Sequence, residues 1–310
     1  MKPPPFRYVA PTTLDEALQV LADAGPAAKV LAGGQSLVPL LNMRLAQPST
    51  IVDINRVEGL GDLVVTDDAV VIGATVRHAR VLADHDVAAA LPLLGQAIRH
   101  VAHQVIRNRG TVVGSIVHAD PAAELPAVLA LVGGSVELAG RDGTRSVAAR
   151  DFFLAPMESA IRTGEIAVRA TFPRLPATTR TAVQELARRH GDYAMAGVAV
   201  RVDVVDDRVT GARASFIGVT DVPEVVDLTE HLEGQDPADL DVAAAVDAGR
   251  DAIDPVADIH ATAEYRRHLA GVLLGRALRD AASRPADSTA AAAGDPTATA
   301  TSDPTDKDAA

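Results

Sequence analysis

The chain has 310 residues, a formal net charge of −12 and no cysteine. Acidity of this order repels phosphate backbones and anionic lipid headgroups, which argues against nucleic-acid and membrane partners, and the lack of cysteine excludes disulfides, iron–sulfur ligation and thiolate zinc sites within this chain. Aromatic residues make up only 3% against 48% hydrophobic residues, so a core has to be built from Ala, Val, Leu and Ile, and the length suits two domains.

The opening Met1-Lys2-Pro3-Pro4-Pro5 is not followed by the apolar core of a signal peptide, and no apolar run reaches the ~20 residues of a membrane span. A soluble cytoplasmic protein is the expectation. The first helix begins at Thr13, with Leu14, Ala17, Leu18 and Leu21 at helical spacing and Gly25-Pro26 as its stop. A short strand over 29–31 runs into Ala32-Gly33-Gly34-Gln35-Ser36, a helix over 37–45 ends before Pro48, and 50–54 reads as a buried strand. Glycines between a strand and a helix permit positive φ and close backbone approach. Free N–H groups there favour an anion such as a pyrophosphate, and Ser36 adds a hydroxyl. The alternative is an ordinary tight turn.

Residues 64–76 read as a strand pair turning at Asp67-Asp68; 75–82 leads into a helical region, with a longer helix over 92–102. His100 and His103 fall at i, i+3 on the second of these. With no third ligand in view, packing or surface roles are favoured over a metal. Arg109-Gly110 leads into Thr111-Val112-Val113-Gly114-Ser115, which repeats the chemistry of the first loop: small residues, two hydroxyls and a preceding cation. Two such loops can clamp one extended diphosphate ligand from two sides. Neither is G-x-G-x-x-G and neither carries a P-loop lysine, which disfavours a Rossmann domain and an NTPase. Next, in the segment His118-Ala119-Asp120-Pro121-Ala122-Ala123-Glu124, Asp120 serves a ligand hydroxyl, the N-cap of the following helix with Pro121 at its first position, or both. His118 and Glu124 have the alternative of being solvated surface groups. A short helix over 125–131 and strands over 135–138 and 146–149 follow.

The pattern changes after Pro176. Three antiparallel strands, over 183–186, 197–205 and 212–219, precede helices over 240–251 and 261–282, which suggests a separate α+β unit. From 284 onward Ala, Thr, Asp, Pro and Ser dominate, and such a composition cannot offset its ordering entropy. The expected division is 1–176, 177–283 and a disordered tail over 284–310.

Ala32-Gly33-Gly34-Gln35-Ser36-Leu37, Asp53-Ile54, Arg107-Asn108-Arg109-Gly110-Thr111 and the segment 118–126 together resemble the flavin subunits of molybdenum hydroxylases. That family includes carbon monoxide dehydrogenase, xanthine dehydrogenase and bacterial hydroxylases of N-heterocycles. The resemblance covers residues 1–282, and 258–267 resembles the family's C-terminal signature. It implies an α+β fold: a two-part PCMH-type FAD-binding domain, then a three-stranded sheet with a helical C-terminal domain. It implies FAD as cofactor, with Ala32, Gly33, Gly34, Gln35, Ser36 and Leu37 in the first loop and Thr111, Gly114 and Ser115 in the second holding the diphosphate. Lys29 would approach the phosphates, a solvated lysine being the alternative. Asp120 would bind the hydroxyl-rich chain of the cofactor and Tyr193 would lie near the flavin ring, with Ala102 and Ile161 completing the set. No catalytic residue and no metal ligand is expected.

The resemblance also implies partners: a molybdopterin-binding large subunit, an iron–sulfur small subunit and an external electron acceptor. This chain would then be the electron-transfer component of an oxidoreductase. Two alternatives stand beside that reading. One is a stand-alone flavin oxidoreductase, against which no substrate-oxidising base is evident. The other is an assembly subunit with a decayed flavin site, motivated by a departure from the family's Thr-x-Gly-Gly-Ser: Val113 stands at the first glycine. A β-branched side chain disfavours positive φ and crowds a close approach, so either the position tolerates replacement or FAD affinity is reduced, and weakened flavin retention is the expectation.

Overall fold

The computed structural model describes residues 2–284, so the expected tail, apart from Arg284, lies outside the described residues. The chain opens with β1 (Arg7–Val9), α1 (Leu14–Ala24), β2 (Ala28–Leu31), α2 (Leu37–Met43) and β3 (Thr50–Asp53). Strands β1 and β2 flank β3 as parallel neighbours, with Tyr8 opposite Ile51 and Val30 opposite Val52. Parallel pairing needs a crossover, and α2 supplies it between β2 and β3. Helix α1 starts at Thr13, whose hydroxyl accepts the Glu16 N–H at 3.3 Å, and it ends at Gly25 with φ 61°. Ala17, Leu18 and Leu21 are its buried residues, as their spacing predicts.

The second part comprises β4 (Leu63–Val65), β5 (Ala69–Gly73), α3 (His78–Ala83), α4 (His85–Ala90), α5 (Pro92–Ile98), α6 (Gln104–Arg107), α7 (Val112–His118), α8 (Glu124–Leu131), β6 (Ser135–Gly140), β7 (Gly143–Ala148), α9 (Ala149–Phe152), β8 (Phe153–Ala155), β9 (Glu158–Ser159) and β10 (Ile166–Pro173). Its five-stranded antiparallel sheet has the order β4-β5-β10-β6-β7. One apolar cluster joins sheet residues such as Val70, Ile72, Leu138 and Phe172 to Leu94, Ile98, Ile116 and Val128 of the helices. The helix expected over 92–102 stops at Ile98. Beyond it Ala102 adopts φ 43° and the Arg107 guanidinium donates to the Val101 and Ala102 carbonyls at 2.9 and 2.8 Å. His100 and His103 are therefore not on one helix face.

The third part holds β11 (Thr179–Ala187), β12 (Ala194–Val205), β13 (Arg208–Ile217), β14 (Val225–Asp227), α10 (Thr229–Leu232), α11 (Ala243–Asp251) and α12 (Ala263–Ser283). The strands form a meander of four, not the expected three. The added β14 pairs only with Arg213, Ala214 and Ser215, too few residues for a readable period. Ala182, Val198, Val200 and Val202 join Leu274 and Leu278 of α12 in one cluster. Val183 and Ala199, their neighbours on the opposite face, join the cluster of α5 and α8. With both faces covered, β12 is buried almost throughout its length. Gln96 Nε2 donates to the Thr181 carbonyl at 3.3 Å and the Gly218 N–H to the Pro121 carbonyl at 2.8 Å across the same seam. Among the described residues no helix is long and apolar enough to cross a membrane.

Candidate functional site

Strand β2 delivers the chain into the first glycine loop, and the second loop lies directly against it. A Cβ on Gly33 would stand 2.5 Å from the Arg109 oxygen and 2.7 Å from Gly110 Cα, so only glycine permits this contact. Gly34 adopts φ 72°, Gln35 Nε2 donates to the Gly33 carbonyl at 3.0 Å, and the Val38 N–H donates to the Gly34 carbonyl at 3.0 Å. The backbone N–H groups of Gly33, Gly34, Gln35, Ser36 and Leu37 donate to no acceptor among the described residues. Ser36 stands at the N-cap of α2 without a side-chain cap bond, so its hydroxyl is also uncommitted. A cluster of uncommitted donors at a helix start suits an anion.

In the second loop Thr111 caps α7, its hydroxyl accepting the Gly114 N–H at 3.1 Å. A Cβ on Gly114 would overlap that hydroxyl. The N–H groups of Thr111 and Val113 have no acceptor among the described residues. Val113 corrects the expectation of a strained backbone. Its φ is not positive, it lies in the first turn of α7, and its side chain is buried in the core at 1% exposure. The Thr111 cap makes this turn helical, a conformation valine accepts, and the backbone reason for expecting weak flavin retention disappears.

Two side chains that carry no sequence motif hold the loops in register. Asn55 Nδ2 donates to the Ala32 carbonyl at 2.8 Å and to Asp53 Oδ1 at 2.6 Å. Arg77 donates to Asn55 Oδ1 at 2.6 Å and to the Arg109 carbonyl at 2.5 Å. Tyr8 donates to the other Asp53 oxygen at 2.5 Å. Burial and the neighbouring Arg109 charge lower the Arg77 pKa, against the pull of Asp53. Beneath the second loop His78 packs its ring on Gly110 at 4% exposure, and burial lowers its pKa to about 4 against the pull of the Thr111 backbone.

Helix α7 connects this region to Asp120, and seven residues at 1.5 Å each separate its ends by about 10 Å. That spacing suits an extended dinucleotide rather than a lone phosphate. Asp120 is not the N-cap of α8: its carboxylate accepts the Ala122 N–H at 2.9 Å in a local turn, while the cap position belongs to Ala123 and Pro121 precedes the helix. Asp120 and Pro121 form one side of a cleft of about 720 Å³, with Tyr193, Met195 and Gly218 from the third part on the other. Tyr193 is 66% exposed at this mouth, yet crowding atoms, then the Asp120 and Glu124 carboxylates, raise its phenol pKa. Glu124, at 8% exposure, is pushed up to about 7, chiefly by burial. Glu185 of β11 is pushed up to about 8 by burial and then by Glu124. Sequence reading left Glu124 as an alternative surface group and did not single out Glu185.

The remaining expected residues fall as follows. Ala102 occupies the turn braced by Arg107, and His103 beside it lies against Gly191 of the segment bearing Tyr193. Ile161 is half-buried after β9 and packs on the core of the second part. Lys29 is exposed on β2, three residues before Ala32. His118, half-buried, has its pKa lowered by burial against the pull of Asp120. Among the described residues no three His, Asp or Glu side chains are grouped to hold a metal ion. The site thus offers uncommitted amides for a diphosphate at one end and a cleft of mixed polar and apolar lining with an open aromatic ring at the other, an arrangement that fits FAD.

Comparison with known proteins agrees with this chemistry. The FAD binding domain in molybdopterin dehydrogenase matches residues 4–175, and the CO dehydrogenase flavoprotein C-terminal domain matches residues 181–281. The chain is 39% identical over 286 residues to the 6-hydroxypseudooxynicotine dehydrogenase complex subunit alpha of Paenarthrobacter nicotinovorans, covering 92% of this chain and 97% of the relative. It is 35% identical over 288 residues to the carbon monoxide dehydrogenase medium chain of Hydrogenophaga pseudoflava, covering 92% and 99%. A chain in the crystal structure of quinoline 2-oxidoreductase from Pseudomonas putida 86 superposes with a TM-score of 0.85 at 37% identity, covering 91% of this chain and 98% of that one.

Proposed function

The chain belongs to the FAD-binding medium subunits of molybdenum-containing dehydrogenases and hydroxylases, and from that premise we propose that it passes electrons from the iron–sulfur clusters of a small subunit to an external acceptor. A molybdopterin-binding large subunit completes the assembly in this reading. The absence of cysteine here supports placing the clusters on another chain. Bound FAD supplies redox chemistry in one- and two-electron steps.

The observation that carries the proposal is the direct contact of Gly33 with Arg109 and Gly110, which joins two sets of uncommitted amides into one anion cradle. Ala32, Gly33, Gly34, Gln35, Ser36 and Leu37, with Thr111, Gly114 and Ser115, hold the diphosphate, and the exposed Lys29 stem reaches toward its charge. Asp120 binds the hydroxyl-rich chain. Tyr193 covers the ring system, with Ala102 and Ile161 shaping the path between. The cofactor domain occupies 1–176 and the second domain 177–283, a division supported by the passage from β10 to β11 between Pro173 and Thr179. A cytoplasmic location belongs to the same proposal and is tested by cell fractionation.

Native purification followed by quantification of FAD, iron, molybdenum and subunits tests the whole reading. The expected result is a yellow chain in stoichiometric complex with a large and a small subunit, whose flavin is reduced when the complex meets its substrate and reoxidised by an added acceptor. A colourless chain that takes up no FAD would overturn it. Turnover by the isolated yellow chain would replace it with a stand-alone flavin oxidoreductase.

A further inference from the structure

Arg266 lies in the first turns of α12 and is 7% exposed, so its charge must be matched by directed partners. Its Nη1 donates to the Met195 carbonyl at 2.5 Å and to the Gly218 carbonyl at 3.1 Å, and its Nη2 donates to Asp258 Oδ2 at 2.7 Å. These acceptors belong to three separate segments, the start of β12, the exit from β13 and the turn before α12, and all three border the cleft that contains Tyr193. Asp258 is itself fixed, one oxygen accepting the N–H groups of His260 and Ala261 at 2.9 and 3.0 Å. Gly218 extends the chain of bonds across the seam, since its N–H donates to the Pro121 carbonyl beside Asp120. The position requires glycine: φ is 74°, and a Cβ there would stand 2.9 Å from the Ala194 oxygen. One guanidinium thus sets the main chain two residues after Tyr193 and, through a single glycine, the main chain one residue after Asp120.

A role confined to stability does not account for this arrangement. Arg266 Nε is buried without a partner, and apolar replacement of a buried ion pair is often neutral or stabilising. What an apolar side chain cannot do is hold two carbonyls on different segments at fixed separation, a task suited to the planar donor fork of arginine. We propose that Arg266 is a positioning residue for the cofactor site, fixing Tyr193 and the Asp120 rim through the Met195 and Gly218 carbonyls. For its cofactor end this rests on the reading of Tyr193 as the residue beside the flavin ring.

The test uses the full-length chain, first without and then with FAD, in four variants: Arg266→Lys, Asp258→Asn, Gly218→Ala and Tyr193→Ala. Lysine keeps the charge but not the fork. Arg266→Lys is expected to speed amide exchange across 193–195 and 217–219 by roughly tenfold or more, with exchange across 270–280 unchanged. With FAD bound, it shifts the visible absorption and fluorescence of the flavin in the same direction as Tyr193→Ala. Asp258→Asn leaves both carbonyl bonds in place and leaves the flavin spectrum at its wild-type form. Should Arg266→Lys fail to fold, Gly218→Ala perturbs the same bridge from the other side and reproduces the spectral shift. Unchanged exchange at 193–195 in Arg266→Lys overturns the positioning role. Faster exchange with an unaltered flavin spectrum overturns the link to the cofactor. In that event a wild-type spectrum in Tyr193→Ala assigns the failure to the placement of Tyr193, and a shifted one assigns it to Arg266.

Discussion

Of the two glycines in the first loop, Gly33 has the less room. A methyl group there must displace the Arg109 carbonyl or Gly110 Cα, both backbone atoms. Overpacking of this kind costs about 1–3 kcal/mol, and here it pries apart the two sets of amides. Gly33→Ala is therefore expected to purify with most of its FAD lost while its far-UV circular dichroism is retained; full FAD occupancy would show that the loops need not touch. A second single-residue effect lies at Glu185, whose carboxyl is held up at about 8 by burial and by Glu124. The unfolded chain ionises the same group near its ordinary value of about 4.3. Between these two values the folded state binds more protons than the unfolded one, so its stability falls as pH rises through the window and levels off above about 8. Glu185→Gln removes that slope. Thermal unfolding between about pH 5 and pH 8 should show the variant gaining on the wild type toward the alkaline end, and parallel curves would mean that Glu185 is solvated.

At the level of elements, the strong periods were readable and the weak ones were not. Helix α1, the strand–loop–helix passage from β2 into α2 and the pair β4–β5 follow from apolar spacing and turn residues. The helix expected over 92–102 was over-extended because Val101 continues the apolar pattern, whereas Arg107 takes the Val101 and Ala102 carbonyls and stabilises a turn instead. Strand β14 had too few residues to carry a pattern. The two glycine loops were legible as close-approach segments with free amides because their chemistry is local. The pair Asn55 and Arg77 was not, because these residues meet only when the parallel sheet docks on the helical layer. Helix α7 was hidden by treating 111–115 as a loop, and it makes its own prediction. Thr111→Ala removes the cap and should cost about 1 kcal/mol, whereas Thr111→Ser should recover most of it. Chemical denaturation of the two variants measures the difference. FAD retention should follow the same order, since the cap orients the turn that carries the Thr111 and Val113 amides.

On the scale of the whole molecule, the proposed cofactor site is divided between two bodies of chain. The diphosphate loops and Asp120 come from the first, Tyr193 comes from the second, and the seam between them is closed by the inner face of the four-stranded sheet lying on α5 and α8. A ligand that touched only the first body would stabilise that body alone. One that reaches both must raise the unfolding temperature of both, because binding to the native state adds RT ln(1 + [FAD]/Kd), about 2.7 kcal/mol at a hundredfold excess over Kd. Scanning calorimetry of the FAD-free chain with and without added FAD distinguishes the two. The expected result is a single transition moved upward by several degrees. In Tyr193→Ala the shift at equal FAD concentration should be smaller, since the lost contact raises Kd. Two transitions, of which only one responds to FAD, would confine the cofactor to the first body and remove Tyr193 from its site. The seam would then serve assembly alone, and the cleft at its mouth would need another occupant.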